Sequence, residues 1–275
     1  MLIPVSNEAP KGSKFITYTT YDQVGMAELI NNQAGDLGRS DISGKETTHP
    51  VEPYGLSYGY SLQEIQQSQL TGIPLDQRRA NAARRAAEER VNDIGFFGDD
   101  RVNLPGFFNN PNIPKSAALN SGTGGAREWS RKNPDQIIFD INDIFADIFE
   151  TSKMKESGNT LLLPPKQWSY IVSTPRASNS DTTIANFIAA SSPYLNSPAD
   201  IIPVNECAAE NNPGESSDIM IAYTRSPEKL EYEIPQELEW LPVQLENFKY
   251  KIPGWVQIGG VHLRYPLSAA IATGI

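Results

Sequence analysis

The chain has one cysteine, Cys207, and two histidines, His49 and His262, in 275 residues. A lone cysteine excludes an internal disulfide framework, and one Cys with two His cannot build a structural zinc site. Cationic residues are also few: 23 Lys+Arg stand against 33 Asp+Glu, for a net charge of −10. That balance argues against a general nucleic-acid binder, whose affinity rests on Lys and Arg neutralising phosphates. No stretch of 18 apolar residues occurs, and Met1-Leu2-Ile3-Pro4 lacks the basic start and apolar run of a signal peptide. These absences predict a soluble protein made inside the cell, without a membrane span. No period of 20–50 residues recurs, which excludes a solenoid or propeller.

The length allows one large domain or two small ones. The 20 glycines and 21 prolines are spread along the chain, so they mark many turns and no disordered tail. Phe15 to Tyr21 is rich in β-branched and aromatic residues, and Val51 to Tyr60 places Tyr54, Leu56, Tyr58 and Tyr60 at alternate positions. Between them, Asn31 to Asp41 is polar and has little to fill a core. Two strands joined by a long polar connection predict a protruding hairpin, either functional or a surface insertion.

Helices follow. Ser61-Leu62-Gln63-Glu64 is a capping box. Leu75 to Ile94 has no Gly or Pro, and Ala80, Ala83, Ala87, Val91 and Ile94 form one stripe that predicts close approach of another element. Arg78, Arg79, Arg84, Arg85 and Arg90 cover the other faces, read equally as a solvated salt-bridged surface or as a subunit interface. This helix should end near Gly95 or Gly98, before a loop over Leu104 to Pro114. Ser121-Gly122-Thr123-Gly124-Gly125 lacks the Gly-Lys-Ser/Thr ending of a phosphate loop and reads as a flexible linker.

Asn133-Pro134-Asp135-Gln136 starts a helix well, with Asn as N-cap and Pro in the first turn. Ile137, Ile138, Ile141, Ile144, Phe145, Ile148 and Phe149 then make the strongest amphipathic face in the chain. Asp140, Asp143 and Asp147 are placed on its outer, exposed face. Thr160 to Leu163, Ile201 to Val204 and Ile219 to Tyr223 read as strands, with a short helix over Thr182 to Ala190. Strands interleaved with helices predict an α+β or α/β unit from about Asn133 to Arg225. Leu230 to Ile234 and Phe248 to Ile252 alternate apolar and charged, so each is expected half-buried and ended by Pro235 or Pro253. Val256 to Tyr265 and an apolar tail, Leu267 to Ile275, finish the chain; the tail should dock on a core or a neighbour.

Catalytic constellations are missing. His49 and His262 are the only imidazole bases, no Gly-x-Ser-x-Gly elbow occurs, and Cys207 reads as a packing residue. There is no GxGxxG, HExxH or EF-hand loop. Paired-carboxylate hydrolysis stays open, but nothing selects one pair. No cofactor, metal site or catalytic residue is expected.

The motifs share an order with a known family. Tyr58-Gly59-Tyr60-Ser61-Leu62-Gln63-Glu64 precedes Ala82-Ala83-Arg84-Arg85-Ala86-Ala87-Glu88-Glu89 and Asn92-Asp93-Ile94-Gly95-Phe96-Phe97-Gly98-Asp99. Gly106-Phe107-Phe108-Asn109-Asn110-Pro111-Asn112, Asn159 to Pro165 and Gly259-Gly260-Val261 follow. From about Leu2 to Ile275 the chain resembles the major capsid proteins of tailed bacteriophages, of the Hong Kong 97 phage fold shared with encapsulin nanocompartments.

The resemblance implies an α+β subunit with an N-terminal arm (1–14), an extended loop (15–60) reaching over a neighbour, and a peripheral domain with a long spine helix (61–132). An axial domain (133–225), peripheral strands (226–258) and a C-terminal return to the axial domain (259–275) complete it. It implies a non-enzymatic subunit of an icosahedral shell, assembled through pentamers and hexamers around phage double-stranded DNA without reading its sequence. An encapsulin-type compartment is the near alternative, and an acid-dependent hydrolase the distant one. Phe15, Tyr18, Lys45, Tyr54, Tyr58, Arg78 and Arg85 become candidates for contacts between subunits. Portal and decoration proteins are possible partners. Met1 is followed almost directly by the shell domain, so a separate scaffold, or none, is expected. Some relatives cross-link through a lysine of the hairpin; Lys45 lies there, but no partner is indicated and cross-linking is not expected. The implied location is the virion capsid, assembled in the host bacterial cytoplasm.

Overall fold

The computed structural model describes residues 2–24, 41–72, 75–177 and 179–275. The chain begins with β1 (Val5–Ser6), β2 (Phe15–Val24), β3 (Asp41–Pro50) and β4 (Glu52–Ser61), then α1 (Leu62–Thr71) and α2 (Leu75–Phe97). Its middle holds β5 (Lys115–Ala117), α3 (Pro134–Thr151), β6 (Thr160–Leu163), α4 (Pro165–Ser173), α5 (Ile184–Ser191), β7 (Ile201–Pro203) and β8 (Ile219–Tyr223). It closes with β9 (Leu230–Glu233), β10 (Gln236–Trp240), β11 (Gln244–Glu246), β12 (Lys249–Ile258), β13 (Gly260–Leu263) and β14 (Ala269–Thr273). Two compact units result: Phe108–Leu230 with Tyr265–Ile275 and the first residues to Pro4, and Val5–Phe107 with Glu231–Arg264.

The first unit is built on a sheet of order β5-β14-β8-β6-β7. Asn133 caps α3 as its spacing predicts, accepting from the Gln136 amide while the Gln136 side chain returns to the Asn133 amide. The apolar stripe of α3 then closes over the sheet: Ile137, Ile141, Ile144, Phe145 and Ile148 join Leu161, Leu163, Met220, Ala222, Ala270 and Ala272 in one cluster. The apolar tail docks here, β14 lying antiparallel to β8 and parallel to β5. The unit starts at Phe108, where β5 leads in to pair with β14, and takes in Tyr265–Ile275, while β13 lies in the other unit's sheet.

Ser121 to Gly125 departs from the flexible-linker reading. Gly122 donates to Ala126 O, Thr123 to Arg131 O and Gly125 to Gly122 O, at 3.0, 3.0 and 2.9 Å, so the loop is a tied turn. Asp140 departs more sharply. It faces inward, not out with Asp143, because Lys132 and Trp129 supply buried donors to its Oδ2 at 2.6 and 2.9 Å.

The second unit contains a three-stranded sheet of order β1-β9-β13 and a sheet of order β10-β12-β11, to which β4 adds on β12. Here the hairpin expectation is corrected. Phe15–Val24 pairs with Asp41–Pro50, from Phe15↔Pro50 to Val24↔Asp41, and not with Val51 to Tyr60. The latter run forms β4 and pairs antiparallel with β12 over ten residues. Alternation marks a half-buried strand but not its partner. Val51 is buried and donates to Lys14 O at 2.9 Å, which turns the chain out of the hairpin.

Helix α1 has its capping box at Ser61 and Glu64 and ends at Gly72, whose φ of 67° supplies the left-handed C-cap. Helix α2 runs to Phe97, with Gly98 beyond it at φ 72°. Leu230 to Ile234 is wholly buried, contrary to the half-buried expectation, because Glu231 pairs with Arg264 and Glu233 accepts the Ala9 amide. Pro235 separates β9 from β10 as expected. Pro253 does not end its run: it sits within β12, where its carbonyl accepts the Leu241 amide at 2.8 Å.

Candidate subunit interface

The candidate contact residues all belong to the second unit, and the structure divides them into engaged and exposed groups. Tyr18 of β2 bonds His49 Nε2 of β3 at 3.1 Å and packs on His262. Tyr54 of β4 donates to Asp99 Oδ2 at 3.1 Å. Asp99 is a hub: Arg90 and Arg101 donate to the same carboxylate at 2.8 and 2.6 Å. The Arg101 hydrogen bond, foremost, holds the Asp99 carboxyl well below its ordinary range, while burial and then Asp99 push Tyr54 up to about 12. Tyr58 meets the Trp240 ring edge-on at 5.0 Å and 82°. These three tyrosines therefore hold the subunit itself together.

Phe15 and Arg78 are exposed, Phe15 with 65% of its surface. Arg85 pairs with Glu89 one turn on, at 3.1 Å and in solvent, a contact that contributes little. Arg79, in contrast, forks onto Glu64 at 2.7 and 3.1 Å and joins α2 to the capping box of α1. That hydrogen bond lowers the Glu64 pKa to about 2. The Lys45 side chain and segment 31–40 lie outside the described residues.

The sequence reading missed two features. Leu241, Val243, Leu245 and Phe248 are all exposed around β11, Phe248 at 79%. Pro242, Gln244, Glu246 and Asn247 between them kept the run from standing out as apolar, and only its exposure among the described residues reveals the patch. The second is the meeting of His49 with His262, which no spacing connects.

In the first unit, a groove of about 920 Å³ is lined by Arg127, Arg131, Lys166, Gln167, Asp218 and Ile275, among others. Cys207 is buried, and burial raises its thiol pKa, consistent with a packing role. Burial likewise raises the Asp140 pKa against the lowering effect of Lys132. The buried carboxylates Asp99, Asp140 and Glu231 are each held by a cation of the same chain. Among the described residues no group of three or more His, Cys, Asp or Glu is placed to hold a metal, and no helix is long and apolar enough to cross a membrane.

A family model described as Major capsid protein matches residues 25–275. The chain belongs to the major capsid protein family. Among solved structures, this capsid protein is similar to the capsid of Myoviridae phage XM1 at 18% identity and a TM-score of 0.81, covering 99% of this chain and 90% of that one. A chain of Mycobacterium phage Ogopogo matches at 13% identity and TM-score 0.63, covering 98% and 90%. The virus-like particle from Pyrococcus furiosus matches at 12% and 0.60, also over 98% and 90%. A sequence search of curated proteins finds no match. The capsid protein thus has the α+β fold of the Hong Kong 97 type, and its family places it among structural shell proteins.

Proposed function

We propose that this capsid protein builds the icosahedral shell of a tailed bacteriophage, closing through pentamers and hexamers of itself around double-stranded DNA. The observation that carries the reading is the fold shared with the XM1 phage capsid over 99% of the chain. The TM-score of 0.81 to that phage capsid supports a phage shell. Heterologous contacts of one chain close into rings when the rotation allows. In this reading Phe108–Leu230 with the C-terminal strand is the axial domain, and the unit holding α2 and β12 is the peripheral domain.

Contacts between subunits fall to the exposed Phe15, Arg78, Arg85 and the Leu241 to Phe248 patch, with Lys45 of the hairpin a further candidate from the sequence. An isolated two-stranded ribbon is marginal in water, so the β2–β3 hairpin gains stability from a neighbour. The role is structural, without catalysis or cofactor. With a net charge of −10 the wall does not bind phosphate strongly, which lets DNA slide as it is packed. Scaffold, portal and decoration proteins are its further partners, and the host cytoplasm is where it assembles.

Electron microscopy of the purified full-length protein tests this. Closed shells with pentameric and hexameric capsomers are expected, and particles from the source should absorb as nucleic acid. A strictly monomeric protein at high concentration, with no particles under any scaffold condition, would overturn the reading; a co-purifying enzyme in place of DNA would select the compartment.

A further inference from the structure

The two histidines, distant in sequence, meet at the base of the hairpin. His262 of β13 keeps only 3% of its surface, and among the described residues neither ring nitrogen has a hydrogen-bond partner. Two rings of the hairpin cover it, Tyr18 at 4.5 Å between centroids and His49 at 5.4 Å. Tyr18 and His49 stack on one another at 5.3 Å and 14°. A buried imidazole without partners costs free energy that a Phe filling the same space avoids. The ring is tolerated only while neutral, because a buried unpaired charge costs far more.

The surrounding charges offer a protonated His262 little compensation. A cavity of about 350 Å³ beside it is lined by Glu8, Glu231, Glu233 and Arg264. On β9, Glu231 is held by Arg264 at 2.7 Å, and Glu233 takes the Ala9 amide at 3.0 Å. Arg264 itself, immediately after β13, is a cation, and His49 becomes one as it titrates. From β3, Glu46 is exposed, and from α2, which also packs against β13, Asp93 is exposed and Arg90 is held by Asp99. Burial, foremost, holds His262 near a pKa of about 3 and places His49 below its ordinary value.

We propose that Tyr18, His49 and His262 form an acid-sensitive joint, seating the stem of the hairpin on the β1-β9-β13 sheet when the imidazoles are neutral and releasing it when they are protonated. The sign follows from linkage: a histidine whose pKa is lowered by docking contributes its full stability above about 6.5, its undocked value, and loses it as pH falls toward the docked one. The ratio of released to seated stem therefore rises up to tenfold for each pH unit below about 6.5 through His262 alone. The joint rests on contacts within one subunit, not on the shell reading, and its test does not require assembly.

Hydrogen exchange of the full-length protein, followed by mass spectrometry from pH 7.5 to 4.5 and corrected for the intrinsic rate, reads the joint. Peptides covering β2 and β3 should lose protection progressively below about pH 6.5, up to tenfold per unit, while β12 keeps its own. H262F should flatten that dependence, and H49Q, which retains an amide for Tyr18 to bond, should reduce it. Wild-type stem protection that stays constant relative to β12 down to pH 5 overturns the proposal, as does a wild-type slope in both variants. If H262F fails to fold, the wild-type profile and H49Q decide the matter alone.

Discussion

In the unit of Phe108–Leu230, the face of α3 closes on a sheet whose central strands β6 and β8 are buried at every position, and one apolar cluster runs from Ala118 to Ile275. In the unit of Val5–Phe107 and Glu231–Arg264, the long β4–β12 ladder and the β2–β3 ribbon dominate. Polar hubs recur there, at Asp99, at Glu64 with Arg79 and at Glu231 with Arg264. That unit also exposes Phe15, Leu245 and Phe248 at 65, 68 and 79%. The first unit gathers its apolar side chains into one cluster between helix and sheet, leaving Phe139 and Met154 outside it, while the second spreads its backbone into strands that carry a run of exposed apolar side chains from Leu241 to Phe248.

The sharpest way to break the contrast is Lys132→Met. It leaves the buried Asp140 carboxylate without its cation and should cost about 3–5 kcal/mol of stability in denaturant titration of the full-length protein. Adding Asp140→Leu should recover most of that loss, because a buried pair often does no better than apolar residues in its place. Phe145→Ala, at the centre of the same cluster, should cost a similar amount, about 3–5 kcal/mol, in the same measurement.

In the second unit the comparable probe is Gly59→Ala. Its Cβ would lie 2.4 Å from the Tyr250 carbonyl oxygen, so the β4–β12 ladder must shift, at about 1–3 kcal/mol. Hydrogen exchange should show the damage confined to β4 and β12, with α3 unchanged. The mildest test treats the units alike: Ser61→Ala and Asn133→Ala each remove the N-cap of one capping box and should each cost about 1 kcal/mol. Markedly unequal losses in thermal melts would mean that one cap serves its unit beyond its own helix.

Much of the first unit is legible in sequence because its signals are local. The α3 stripe, its cap and the apolar runs of β6 and β8 each lie within one short window. The second unit is less legible because its partners are distant. Nothing near Val51 to Tyr60 says that this strand pairs with Lys249–Ile258 and not with Phe15–Val24. Charged positions misled for a related reason: Asp140, Glu231 and Glu233 read as solvent-facing, and each is buried against a donor from elsewhere in the chain. The candidate contacts divide the same way. Arg78 and Phe15 are exposed, while Tyr18 and Tyr58 meet rings of other strands and Tyr54 bonds Asp99 beyond α2.

By itself the sequence determined the element types, the capped helix starts, the glycine stops, the few charges and histidines, and through the order of its motifs the capsid family. Those properties depend on neighbours a few residues away. Tertiary structure alone decided which strands pair, which carboxylates are buried and that the only two histidines share one buried site, because each of these depends on groups that only the folded chain brings together.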